Sequence, residues 1–128
     1  MAIRIVRLGT ARGADEGLRI GTVRRPPRGV PKAQFAAQNW YDVWFSTLAP
    51  SVETMKRAQA ATTPAEWTAF TRKYRAEMAA PEASHAISLL AALSQRSDFS
   101  VGCYCESEAH CHRSILRALL VEQGARVV

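Results

Sequence analysis

All three cysteines of the chain, Cys103, Cys105 and Cys111, fall within ten residues of one another. Two of its three histidines, His110 and His112, lie in the same run, CYCESEAHCHR, which ends in Arg113. Three kinds of chemistry suit these residue types at this spacing. The first is a thiol and anion site. Residues two apart on a strand share a face, so Cys103 and Cys105 point the same way. A helix starting after Ser107 would offer free amides and the positive end of its dipole to a phosphate, a carboxylate or a thiolate. Arg113 can donate two parallel hydrogen bonds to an oxyanion. His112 can give a proton or hydrogen-bond a ligand as neutral imidazole. A cysteine beside such a dipole titrates low and becomes nucleophilic, which makes Cys103, Cys111 and His112 the candidate reacting groups.

The second chemistry is a metal. Cys103, Cys105, Cys111 and one histidine could supply four soft ligands for tetrahedral zinc. The usual zinc knuckles separate paired cysteines by two to four residues, which this run does not. On one helix, His112 would also point about 100° away from Cys111. The set considered for zinc is therefore Cys103, Cys105, Cys111 and His110, although His110 meets the same angular difficulty. The third reading has no chemistry at all. Cysteine packs as a small hydrophobe, so Cys103 would sit in a central strand and Cys111 beneath Ile115.

These residues need a strand end and a helix start to hold them. FSVGCY, residues 99–104, reads as a strand running into a helix over 108–123, with Ser107 as its N-cap and Gly124 as its C-cap. Residues 3–8 and 18–23 read as two more strands, and 126–128 as a last short one. Between them the apolar spacing predicts helices. Phe35, Trp40, Trp44, Phe45 and Leu48 give a helical stripe over 33–48, and Val52 and Met55 a shorter helix after Ser51. Thr63, Pro64 and Glu66 form a capping box opening a helix whose face is Trp67, Phe70, Tyr74 and Met78. Pro81 opens another over about 82–96, buried through Ile87, Leu90 and Leu93. The expected fold is α/β: one domain over residues 1–128, a small and mostly parallel sheet of three to four strands, about five flanking helices and a C-terminal β-α-β unit. In such sheets ligands bind beyond the carboxyl ends of the strands, where the cysteine run falls.

Charge adds a partner class. The chain holds 17 basic and 11 acidic side chains for a net charge of +6, and the excess lies in the first quarter. There Arg4, Arg7, Arg12, Arg19, Arg24, Arg25, Arg28 and Lys32 face only Asp15 and Glu16. A phosphate-bearing small molecule or a nucleic acid is the expected partner. Three prolines stiffen the segment RRPPRGVPK, so Arg24 and Arg28 are pre-positioned for an anion at small entropic cost. At 48% apolar and 22% charged residues, the composition is that of a globular domain. No apolar run approaches the roughly 20 residues a membrane span needs, and an odd number of thiols without a secretory leader points to a reducing cytoplasm.

Beside these readings stands a resemblance. EGLRIGTVRR, the PRGV turn at Pro27–Val30, LAPS at Leu48–Ser51, EWTAFTRKYRAE with Trp67, Phe70, Tyr74 and Glu77, and the Cys-His-Arg helix occur in this order. Together they resemble the YeaO-like proteins of the family called domain of unknown function 488, over nearly the whole length. Two positions depart from that pattern. Val23 and Pro26 stand where the family has an acid and a tryptophan in its arginine loop, and Cys105 stands where it tends to have glutamate. The resemblance implies a fold and a pocket without implying a reaction. Topology then suggests that Arg24, Arg28 and Arg113 converge on one anion, with Cys103, Cys111 and His112 on the reacting side. The enzyme so expected would transfer or hydrolyse at a nucleoside or phosphate group. The alternatives are a non-enzymatic module sensing metal or redox state through Cys103, Cys105 and Cys111, and a plain nucleic-acid binder.

Overall fold

The computed structural model describes all residues, Met1–Val128. Four strands, β1 (Ile3–Arg7), β2 (Leu18–Gly21), β3 (Val43–Trp44) and β4 (Phe99–Cys103), form one sheet in the order β1-β4-β2-β3. Every pairing is parallel. Val127 adds a parallel bridge to Ile3, so the last predicted strand is a single rung. The α-helices are α1 (Val52–Ala60), α2 (Pro64–Met78), α3 (Pro81–Leu93) and α4 (His112–Glu122), four against the five expected. The α/β class and the parallel sheet are as the sequence implied. None of these helices is long and apolar enough to cross a membrane.

Strand alternation divides the sheet into an apolar and a polar face. Ile3, Ile5, Ile20, Phe99 and Val101 pack with Phe70, Tyr74 and Met78 of α2, Ile87 and Leu90 of α3, and Ile115, Leu116 and Leu120 of α4. The capping box opens α2 as its sequence predicted, with Thr63 Oγ1 accepting from the Glu66 amide. Leu93 is exposed, and α3 buries Ala83 and Ala91 beside Ile87 and Leu90 instead.

The polar face is covered by loops pinned to one buried cation. Arg19 is fully buried and donates to both Glu16 carboxylate oxygens, at 2.6 and 2.8 Å, and to the carbonyls of Thr10 and Asn39 at 2.9 and 2.7 Å. Ser100 of β4 donates to Glu16 as well. Asp42 accepts from the Arg19 amide and holds Arg12 at 2.7 Å, which ties residues 36–42 to the same centre.

This network overturns the helix expected over 33–48. The segment is a single turn at Lys32–Gln34, turns through Trp40, strand β3 and a second short turn at Ser46–Leu48. Asn39 takes a positive φ of 62°, which a helix does not allow. The aromatic spacing is that of a helix, but the rings serve the sheet. Tyr41 packs over Gly21 and edge-on to Phe35, while Trp40 packs edge-on to Tyr104.

Glu16 gives the fold an acid limit. Burial raises its pKa, but hydrogen bonds from Arg19, Ser100 and the Gly13 amide overcome this and hold it at about 2, against 4.5 for a free glutamate. A depressed carboxyl stabilises above its unfolded pKa and loses that contribution as pH falls through the folded one. About 3 kcal/mol should therefore disappear between pH 5 and 2. Urea midpoints across that range would measure it. The loss should shrink by a similar amount in Glu16→Gln, and an unchanged slope in that variant would contradict the assignment.

Candidate functional site

Because β4, the last strand, enters between β1 and β2, the carboxyl ends of these three strands lie side by side. Three groups converge there. Cys103 ends β4, Thr22 follows β2, and α4 begins with Cys111 as N-cap and His112 as its first residue. The helix starts later than expected, with a short turn at Glu108–His110 before it and Ser107 outside. Cys111 is extended, at φ −136° and ψ 152°, so the helical angle between positions 111 and 112 does not apply. Cys111 and His112 therefore do not diverge as two residues of one helix would. Cys111 Sγ and His112 Nδ1 are 3.8 Å apart, and the ligand atoms of Cys103, Cys111 and His112 all lie within 4.8 Å of one another. Cys105 Sγ adds a contact of 3.8 Å to Cys103 Sγ from its exposed position beyond the strand.

His112 is locked by groups from outside its own element. Its Nε2 lies 2.8 Å from the Thr22 carbonyl and 3.3 Å from the Thr22 hydroxyl, which itself donates to the Gly102 carbonyl at 3.0 Å. Both neighbours of Nε2 accept, so the proton sits there and the Nδ1 lone pair faces Cys111. The Tyr74 ring backs the imidazole at 5.5 Å, and its hydroxyl donates to the Leu48 carbonyl.

The thiols titrate apart. Hydrogen bonds from Cys103 and Cys105, with His112 alongside, hold Cys111 down against its burial. Donation to Cys105 and Cys111, and then burial, pushes Cys103 up. Arg113 adds a positive charge. Its side chain is buried, donates to the Cys105 carbonyl at 2.6 Å, makes no ion pair with any carboxylate, and leaves Nε without a partner.

Cys103, Cys111 and His112 line a cavity of about 320 Å³ with Val23, Arg24, Arg25 and Phe70, and Met55 and Gln59 of α1 form part of its wall. That helix is fixed by Glu77, which accepts from the Ser51 amide, the Ser51 hydroxyl and the Thr54 hydroxyl at 2.7–2.9 Å. The LAPS segment and Glu77 therefore position the wall, and Pro50 of that segment lines the cavity itself.

Beside this cavity lies a cleft of about 630 Å³ lined by Arg7, Arg25, Arg28, Trp40 and Tyr104, among others, with no carboxylate in its lining. Tyr104 and Arg25 belong to both, and the Tyr104 hydroxyl donates to the Arg25 carbonyl at 2.9 Å.

The structure does not bring Arg24, Arg28 and Arg113 to one point. Arg24 borders the thiol cavity but donates to the Ala49 and Pro50 carbonyls. Arg28 lines the neighbouring cleft, and Arg113 lines neither. His110 is exposed at the cavity rim, its ring edge-on to Trp67 at 5.5 Å, and His112 takes the place beside the thiols that the zinc reading gave to His110. Residue reading counted Arg7, Arg25, Trp40 and Tyr104 without singling them out as site residues, and it passed over Thr22. Their roles depend on pairings across the sheet that no local pattern announces.

No curated protein and no solved structure matches the chain. One family model does, over residues 3–124, and the match identifies the family rather than its YeaO-like subgroup. The chain belongs to DUF488-N3a, the active DUF488-N3 subclade.

Proposed function

We propose that the protein is an enzyme acting on a phosphate-bearing substrate, a nucleotide or the end of a nucleic acid, by transfer or hydrolysis at the nucleoside or phosphate group. The observation that carries this reading is a shared wall. Arg25 lines both the cavity of Cys103, Cys111 and His112 and the cleft of Arg7 and Arg28, so one ligand can span the two. Arg25 and Arg28 make no salt bridge, whereas Arg12 and Arg19 are neutralised by Asp42 and Glu16. The positive potential left at this edge is the part of the N-terminal charge excess that favours phosphate. Trp40 and Tyr104 supply aromatic surface on which a base can rest. A cavity near 320 Å³ is within the range of small-ligand sites. The description of the subclade as active agrees with an enzyme.

Titration calorimetry with the five common nucleoside monophosphates and a 5′-phosphorylated oligonucleotide tests the reading. At least one should bind, with an affinity that falls as salt rises. Arg25→Ala should weaken it about tenfold or more, as expected for a charge-assisted phosphate contact. Absence of binding by every probe, or equal affinity in Arg25→Ala, overturns the proposal.

A further inference from the structure

We infer that Cys103, Cys105, Cys111 and His112 bind one zinc ion at the inner end of the thiol cavity. This deepens the reading above by naming a cofactor for the same site, yet it rests on different atoms from those that hold the phosphate.

Geometry comes first. Zinc–sulfur bonds of about 2.3 Å and zinc–nitrogen bonds of about 2.0 Å at tetrahedral angles place neighbouring ligand atoms roughly 3.5–3.8 Å apart. Cys103 Sγ to Cys105 Sγ and Cys111 Sγ to His112 Nδ1 are both 3.8 Å. Each contact has the length of one edge of such a tetrahedron; Cys103, Cys111 and His112 close within 4.8 Å, and Cys105 reaches that group through Cys103. The histidine also has the outer hydrogen bond that metal-bound imidazoles make. Its Nε2–H is held by the Thr22 carbonyl while Nδ1 faces the thiols.

Charge balance is the second argument. Three thiolates and a neutral imidazole around a divalent ion leave one negative charge. Arg113, buried and without a carboxylate, supplies one positive charge next to Cys105, whose carbonyl it holds. A buried guanidinium without a counter-charge is costly, so the anion it answers belongs to this cluster. Soft thiolates with one imidazole in tetrahedral array select zinc over the hard cations. Cys105 is the exposed ligand of the four and sits at the open side, where a substrate oxygen or water would replace it. Zinc there would polarise the substrate group that Arg25 brings in.

The experiment is metal content of tag-free protein, purified without chelator from zinc-supplemented cells, followed by cobalt substitution. About one zinc per chain is expected, with cobalt protein showing thiolate charge-transfer absorption and the intense visible bands of a tetrahedral ion. Cys105→Ser, at an exposed position, should stay folded, weaken zinc about tenfold or more against a chelating indicator, and alter the cobalt spectrum. His112→Asn should do the same if it folds. Folded protein with less than about a tenth of an equivalent of zinc and no cobalt spectrum overturns the inference, and iron in place of zinc overturns it too. Nucleotide binding on the same samples separates the two proposals. Metal-free protein that binds nucleotide through Arg25 removes only the zinc, and zinc-loaded protein that binds none removes only the phosphate reading.

Discussion

Arg19→Ala is expected to leave the chain unfolded or molten at 37 °C, the largest loss of stability any single substitution here should cause. Arg19 is fully buried, and its guanidinium is shared among Glu16, Thr10, Ala11 and Asn39. Truncating it strands the Glu16 carboxylate beside Ser100 in a site closed to water. Breaking one side of a buried ion pair costs about 3–5 kcal/mol. The carbonyls that lose their donor add to that cost. A domain of this kind has about 5–15 kcal/mol in total. Arg19→Leu combined with Glu16→Leu should recover part of the loss, because no uncompensated charge then remains. Urea unfolding followed by circular dichroism reads both variants. A single variant within about 1 kcal/mol of the parent would show that the loops over the polar face are held by something else.

Gly17→Ala should come next in size, and Gly29→Ala is its control. Both glycines have positive φ, 71° and 74°, which costs an alanine about 1–3 kcal/mol. The difference lies in the space around them. A Cβ on Gly17 collides with the backbone carbonyl of Asp98, a residue tied through its side chain to the Ala2 amide and the N-terminus. Neither backbone can retreat without pulling β2 from β4, whose register begins at Leu18 and Phe99. A Cβ on Gly29 meets nothing within 4 Å. Gly17→Ala should therefore lose more than about 4 kcal/mol, in the range reserved for damage to the core or backbone. Gly29→Ala should lose only the conformational part. Equal thermal midpoints for the two variants would contradict the collision.

The two substitutions also mark the division between what the chain announces and what it conceals. Signals contained in a few consecutive residues were readable. Thr63, Pro64 and Glu66 open α2, the period of Phe70, Tyr74 and Met78 gives its buried face, and the run FSVGCY gives β4. The α/β class and the place of the cysteine run at a strand end followed from these. Clustering of three thiols and two histidines in the sequence singled out the segment from which the fold brings Cys103, Cys111 and His112 together. The helix over 33–48 was misread because its aromatic spacing is local, whereas the Asp42 contacts to Arg12 and Arg19 that hold the segment cross more than 20 residues.

The composition of the site was decided only by the folded chain. Thr22 and His112 are 90 residues apart, yet their contact sets the imidazole tautomer and puts His112, rather than His110, beside the thiols. The same holds for charge. Eight basic side chains in the first quarter look alike in sequence, but folding neutralises Arg12 and Arg19, occupies Arg24 with carbonyls and leaves Arg25 and Arg28 at the cleft. Local periodicity and capping are free energies of neighbouring residues, so the sequence by itself determined most of the elements and the clustering of thiols and histidines on them. Which cation is free, and which histidine meets the cysteines, depends on hydrogen bonds between residues that the place of β4 between β1 and β2 brings together, and the tertiary structure alone decided them.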